Sequence, residues 1–231
     1  MSDLVAYCLE DGVAVLTLNN GKVNAFSHAL IDAFNAALDR AEADKAIVIV
    51  TGQPGILSGG YDLKVMMAGP QQAIDLVAAG STLARRMLAH PQPIIVACSG
   101  HAVAKGAFVL LSADYRIGVQ GPFTIGLNEV QIGMTMHHVG ITLAQDRLTK
   151  AAFQRSVVCA EMFTPQGALE VGFLDQLVAP EALMAAARDV AERFKKLNPG
   201  AHAATKLKVR RALLEALDAG IAADRLTGLG H

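Results

Sequence analysis

The hydrophobic pattern changes period several times along this chain, and each change marks an element. Leu4 to Leu9 and Val13-Ala14-Val15-Leu16-Thr17-Leu18 flank the turn signal Asp11-Gly12, which predicts an N-terminal β-hairpin. From Ser27 to Asp44 the period becomes helical. Ser27 suits an N-cap, and Leu30, Ile31, Phe34, Ala37 and Leu38 form one apolar stripe. Ala46-Ile47-Val48-Ile49-Val50 is an unbroken apolar run, as in a strand covered on both faces, and a glycine-rich loop from Gly52 to Gly60 follows. The same order recurs. Gln71 to Leu88 suits a helix ended by Pro91 and Pro93; Pro93-Ile94-Ile95-Val96-Ala97-Cys98 is a second buried strand, with Ser99-Gly100 after it. A short apolar helix from Lys105 to Ala113 leads to a third strand, Tyr115-Arg116-Ile117-Gly118. Strands alternating with helices predict an α/β domain with largely parallel sheets. The two strand–loop–helix units are too dissimilar to form a sequence repeat. Beyond Glu181 the chain reads as helical: Ala182 to Leu197, a break at Asn198-Pro199-Gly200, then His202 to Arg225.

Composition narrows the classes. With 52% apolar and 18% charged residues over 231 positions, the chain can bury a sizeable core and is no disordered polypeptide. Twenty Lys+Arg against 21 Asp+Glu give a net charge of −1, which disfavours nucleic acid as a partner. Cys8, Cys98 and Cys159 form neither a disulfide framework nor a zinc pattern, and they read as small buried apolar residues in a reducing compartment. The acidic Met1-Ser2-Asp3 start lacks a signal-peptide core, and no apolar run approaches the ~20 residues of a bilayer helix. A cytoplasmic protein without membrane association is expected. Between Arg188 and Arg211 lie eight Lys/Arg and two acids, either a solvated helix face or a phosphate-attracting rim.

Chemistry concentrates in three places. Leu57-Ser58-Gly59-Gly60-Tyr61-Asp62-Leu63-Lys64 and Ser99-Gly100-His101-Ala102-Val103-Ala104-Lys105-Gly106-Ala107-Phe108 each follow a buried strand and enter a helix. The first N–H groups of a helix lack intrahelical partners and carry the positive dipole end, so such starts suit negative charge. Two of them converging would supply paired donors for one oxyanion, each worth about 2.7–4 kcal/mol of barrier. Glycine loops after strands also serve purely structural ends. Neither loop fits the dinucleotide or nucleoside-triphosphate fingerprints. Third, Glu129 stands alone among Ile125, Leu127, Val130 and Ile132 in a stretch, Gly118 to Gln145, otherwise uncharged apart from histidines. Desolvation there would raise its pKa toward general acid–base use; capping a helix or facing water is the alternative. His137 and His138 are adjacent, so their rings diverge; they suit a pocket border better than a metal. A Ser99/His101/Asp114 triad lacks the nucleophile elbow. Asp114 suits a pairing with Arg116 or a backbone amide, and Asp62 suits ordering its own loop.

With these motifs in order, the chain resembles the crotonase, or enoyl-CoA hydratase/isomerase, superfamily over residues 4–225. The resemblance rests on Leu57-Ser58-Gly59-Gly60-Tyr61-Asp62-Leu63, Pro93-Ile94-Ile95-Val96-Ala97 leading to Gly100-His101-Ala102, Ala113-Asp114-Tyr115-Arg116-Ile117, and Thr164-Pro165 with Ala168-Leu169 and Gly172-Phe173-Leu174-Asp175. It implies a spiral core of repeated ββα units over residues 1–180, and a C-terminal helical region, 181–231, used in forming a homotrimer or hexamer. It further implies an acyl-CoA thioester as substrate, with CoA arriving as part of it and with no metal or other cofactor. Carried over by position, the backbone N–H groups of Tyr61 and Lys105 would form the oxyanion hole, with Ala104-Lys105-Gly106 standing where the family usually has glycines. Ser58, Gly59, Gly60, Gly106, Phe108, Leu127 and His137 would line the substrate, and the basic stretch of Lys206, Lys208, Arg210 and Arg211 would lie near the CoA phosphates. Hydratases of the superfamily use two glutamates. Here the first position is Phe108, and only the second, Glu129, is kept. Ile125 to Gly133 looks most like the Δ3,Δ2-enoyl-CoA isomerase branch, which also has an apolar residue at the first position. The resulting expectation is an isomerase with one acid/base. The alternatives are a hydratase or other thioester-enolate enzyme, and a non-catalytic acyl-CoA-binding or assembly protein.

Overall fold

A computed structural model describes residues 3–228 of the chain. The N-terminal hairpin forms as expected. β1 (Val5–Glu10) and β2 (Val13–Leu18) pair antiparallel across Asp11-Gly12, and both turn residues take the positive φ that matches the twist of the strands. Helix α1 (His28–Ala43) starts on Ser27, whose side chain accepts from the Leu30 N–H, and it buries the predicted stripe. β3 (Ile47–Thr51) is buried at every position.

The glycine-rich stretches then depart from a simple loop reading. β4 (Gly55–Ser58) lies inside the first, followed by α2 (Leu63–Met66) and α3 (Pro70–Ala89). β5 (Ile94–Cys98) is separated by Ser99 alone from β6 (Gly100–Val103), and α4 (Lys105–Leu111) follows. β7 (Tyr115–Val119) leads to β8 (Ile125–Gly126), a short 3-10 turn at Val130–Ile132, and α5 (His138–Arg147). Next come α6 (Lys150–Val157), β9 (Met162–Phe163), α7 (Pro165–Val171), β10 (Gln176–Val178), α8 (Leu183–Lys195) and α9 (Pro199–Thr227).

The strands form two sheets. One has the order β1-β2-β3-β5-β7-β10 and is parallel from β2 onward; the other has the order β4-β6-β8-β9. Three strands of the first sheet are thus each followed by a short strand of the second and then by helix: β3–β4–α2, β5–β6–α4, β7–β8–α5. This is the ββα spiral expected from the resemblance. The six-stranded sheet is apolar on both faces. Leu16, Val48, Val50, Ile94 and Val96 pack toward Leu30, Phe34, Leu83 and Leu110. Ile47, Ile49, Ile95, Ala97 and Ile117 pack under Leu183, Ala187, Val190 and Ala191 of α8.

The C-terminal reading changes in three ways. Asn198 is the N-cap of α9, accepting from the Ala201 N–H, and Pro199 is its first residue, so no gap separates Gly200 from the helix. α9 folds back on α3 and α5 of its own chain and buries Leu214 and Leu217 there. That apolar face therefore needs no second subunit to cover it. Lys206 and Arg210 also do not form a free anion rim: they reach Asp114 at 2.6 and 2.9 Å. Asp114 accepts from the Ile94 amide at 2.7 Å as expected, whereas Arg116 pairs with Asp175 instead, at 2.6 Å. Of the cysteines, Cys98 is buried, but Cys8 and Cys159 are exposed, on the edge strand β1 and in the turn after α6. No helix among the described residues is long and apolar enough to cross a membrane.

Candidate active site

The carboxyl ends of the parallel strands carry the predicted loops, the edge where open α/β sheets usually bind ligands. At the first loop, a buried asparagine sets the backbone. Asn24 takes a positive φ of 46° and donates through Nδ2 to the carbonyls of Leu18 and Leu57. Its own carbonyl accepts from Ser58 Oγ at 2.7 Å, and Ser58 Oγ in turn accepts from the Gly60 N–H. Ser58 is fully buried, so it shapes the loop and leaves no free hydroxyl for a ligand. Phe26 N donates to Gly60 O and Asp62 N to Phe26 O, framing Tyr61; Asp62 caps α2 by accepting from the Lys64 N–H. Gly59 is exposed beside Val23.

At the second loop the strain falls on Ala104, not on Lys105. Ala104 has φ 50° and ψ −115°, a conformation glycine adopts freely and other residues hold at a cost of about 1–3 kcal/mol. Lys105 is then the first residue of α4, where an N–H has no intrahelical acceptor. Among the described residues, neither the Tyr61 nor the Lys105 amide donates to another backbone group. The two turns lie side by side: a Cβ built on Gly60 (φ 115°) would sit 3.2 Å from Ala104 Cβ and 4.0 Å from Lys105 N. Gly106 is buried against the Ser58 carbonyl, which locks the loops together.

Glu129 ends the small-sheet strand region and opens the 3-10 turn, with its carbonyl held by the amides of Ile132 and Met134. Its side chain is 5% exposed and Oε2 has no partner. Burial pushes the carboxyl up to about 7, opposed only by a bond from its own backbone N–H. Ile125 and Leu127 are buried, but Val130 and Ile132 face outward, contrary to the expectation that all four enclose the acid. Tyr61 lies close by: its phenol is raised by burial and then by the charges of Glu129 and Asp224. Phe108 and His137 are both buried, with ring centroids 5.1 Å apart in an edge-to-face contact. Burial holds His137 below its ordinary pKa; Asp224 opposes that, while Lys105 and His138 add to it. The predicted catalytic set, Tyr61, Lys105 and Glu129, is therefore brought to one neighbourhood, with Phe108 and His137 at its wall.

Asp224 escaped the sequence reading. It accepts from the His138 N–H at 2.9 Å and pairs with His138 Nδ1 at 2.6 Å, fixing the start of α5 under the end of α9. The signal was a lone acid in Ile221-Ala222-Ala223-Asp224. His137 and His138 diverge as expected. The rejected triad is dispersed: Ser99 Oγ donates to the Gln53 and Ile56 carbonyls, and His101 Nδ1 accepts from the Thr124 N–H. Among the described residues, no three His, Cys, Asp or Glu side chains are arranged to hold a metal ion. Two cavities of about 270 and 520 Å³, both lined by Phe194, Leu197 and His202, open at the amino ends of the parallel strands; the larger is bordered by Lys206 and Arg210, and neither contains Tyr61, Lys105, Glu129 or another residue expected to line the acyl group.

Two loop turns set side by side and a buried acid in the same neighbourhood, on a ββα spiral, point to a class, and the chain belongs to it: the enoyl-CoA hydratase/isomerase family model matches residues 9–227. A solved enoyl-CoA hydratase/isomerase family protein from Pseudomonas syringae is 71% identical, with TM-score 0.96 over 97% of each chain. Two Mycobacterium tuberculosis structures are 41% identical. One is described as an enoyl-CoA isomerase (TM-score 0.91, covering 96% of this chain and 97% of that one), the other as a probable enoyl-CoA hydratase (0.92, covering 95% and 94%). Human mitochondrial enoyl-CoA delta isomerase 1 is 29% identical over 206 residues, 87% of this chain and 68% of the relative.

Proposed function

We propose that the protein shifts the double bond of a 3-enoyl-CoA to the conjugated 2-enoyl position. The observation that carries this reading is one buried carboxylate, Glu129, whose Oε2 has no partner, while the buried Phe108 stands at the position where a hydratase would present a second acid. The thioester carbonyl sits between the Tyr61 and Lys105 amides. Glu129 takes a proton from C2, leaving a dienolate whose negative oxygen those amides stabilise, and returns it to C4. One base that gives back what it removes closes the cycle, so the reaction consumes no water and calls for no metal or redox group. Hydration would need a second group to hold or protonate. Asp224 does not supply it, because its oxygens are taken by His138 and the start of α5. Gly59, exposed beside Val23, and the outward apolar Val130 and Ile132 offer surface to the acyl-pantetheine arm.

The deciding assay offers a 3-enoyl-CoA and crotonyl-CoA side by side. Conversion of the first without hydration of the second is expected; hydration of crotonyl-CoA with no isomerisation overturns the assignment, and tight acyl-CoA binding with no turnover would reveal a binding protein. We also propose a trimer or a dimer of trimers, in keeping with the family resemblance and with the outward Leu207 and Val209 of α9, 47% and 77% exposed. Light scattering that gives a monomer at micromolar concentration rejects it.

A further inference from the structure

The two amides assigned to the thioester oxygen belong to residues whose side chains converge on one residue of α3. Lys105 is 1% exposed, and its Nζ donates to the Gly80 carbonyl at 2.6 Å. Nζ also lies 5.7 Å from the centroid of the Phe26 ring, and Phe26 is the residue that frames Tyr61 from the other loop. Tyr61 reaches the same glycine from its own side. A Cβ on Gly80 would fall 2.3 Å from the Tyr61 hydroxyl oxygen and 2.7 Å from a ring carbon, and that hydroxyl donates at 3.5 Å to the Val77 carbonyl. Gly80 thus seats one side chain with its bare Cα and anchors the other with its carbonyl.

Neither residue favours stability. Glycine inside a helix is less favourable than alanine, because it gives up more backbone freedom on folding. A buried amine with one carbonyl partner is poorly compensated for lost water, and burial lowers Lys105 to about 7. Residues that weaken the fold at two touching positions, beside a strained Ala104, mark a place where geometry is selected over stability.

We propose that the Lys105 side chain is a positioning brace: by bonding the Gly80 carbonyl, it sets the Ala104–Lys105 peptide at a fixed spacing from the Gly60–Tyr61 peptide, whose Tyr61 is seated on the same glycine. This rests on the oxyanion-hole reading given above and deepens it. The backbone of Lys105 binds the oxygen, and its side chain aims that backbone.

Acetoacetyl-CoA supplies a readout that does not depend on turnover. Its C2 protons are acidic, so a site that stabilises a thioester enolate shows a bound enolate band in the near ultraviolet. Wild type, Lys105→Met and Gly80→Ala are compared for affinity, enolate fraction, isomerase kinetics and melting temperature. In Lys105→Met, affinity stays within about threefold while the enolate fraction drops about tenfold. In the same variant kcat falls about 100-fold with KM little changed. Its melting temperature equals or exceeds that of wild type, because a buried amine has been removed. Gly80→Ala shifts the enolate fraction in the same direction. Lys105→Met with a wild-type enolate band and kcat overturns the brace, as does a loss that tracks a lowered melting temperature and weakened binding. A wild-type protein that binds acetoacetyl-CoA without any enolate band rejects the oxyanion hole itself, and the brace with it.

Discussion

Asp114 and Glu129 are both withdrawn from water, yet they are furnished in opposite ways. Asp114, just before β7, is met by the Ile94 amide, by Lys206 and by Arg210, all within 2.9 Å. Glu129, just after β8, keeps one oxygen without a donor and has no cation against it. A carboxylate surrounded by donors holds elements together; here it ties β5 and β7 to α9. A buried carboxylate with one oxygen left without a donor holds its proton more tightly and can exchange it near neutrality. The amino edge of the parallel strands is thus organised by satisfied charge, and the carboxyl edge by charge left unsatisfied.

Substitutions at the two acids should separate these roles. The largest effect expected is that of Glu129→Gln on turnover, a fall in kcat of about 10³-fold or more with CoA-ester affinity nearly unchanged; full activity in that variant would remove Glu129 from the reaction. Asp114→Asn should leave two cations buried against a neutral amide and cost about 3–5 kcal/mol of stability. Urea unfolding measures that loss, and kcat per folded molecule should hold; a collapse of kcat at unchanged stability would erase the contrast. A third test uses pH. Glu129's folded pKa of about 7 lies above its ordinary 4.5, so the native state binds the extra proton. Its contribution to stability is full below about 4.5 and is lost as pH rises through 7, by up to about 3 kcal/mol. Glu129→Gln should therefore be more stable than wild type at pH 8 and nearly equal to it at pH 4.5. Since only the ionised base abstracts a proton, wild-type kcat/KM should climb with pH to a plateau above about 7. The smallest effect belongs to the Arg85–Asp218 pair between α3 and α9, whose side chains are 36% and 54% exposed. Arg85→Ala should cost no more than about 1 kcal/mol in a thermal melt.

The long elements were legible because each carries its own pattern: the α1 stripe from Leu30 to Leu38, and the doubly buried runs of β3 and β5. The second sheet was not. β4, β6, β8 and β9 are two to four residues long, and three of them contain glycine. They are strands by virtue of their neighbours, which no local period records. The same division runs through the site. Glu129 and the two loops stood out as a lone acid and as glycine-rich turns after strands. Asn24, Gly80 and Asp224 act through partners 33, 25 and 86 residues away. Lys206 was read correctly as basic and wrongly as free, because Asp114 lies 92 residues from it in sequence.

The hold of Asp224 on the start of α5 bears on how the molecule is made. A nascent chain emerging from the ribosome can assemble both sheets, and both amide-bearing turns, well before residue 224 leaves the exit tunnel. Until then, α5 is held at its far end, where Arg147 donates to the Leu111 and Ala113 carbonyls, and its start beside Phe108 lacks the acid that fixes it. The start of α5 is thus closed by a residue 86 positions further along the chain, after every strand of both sheets has been made.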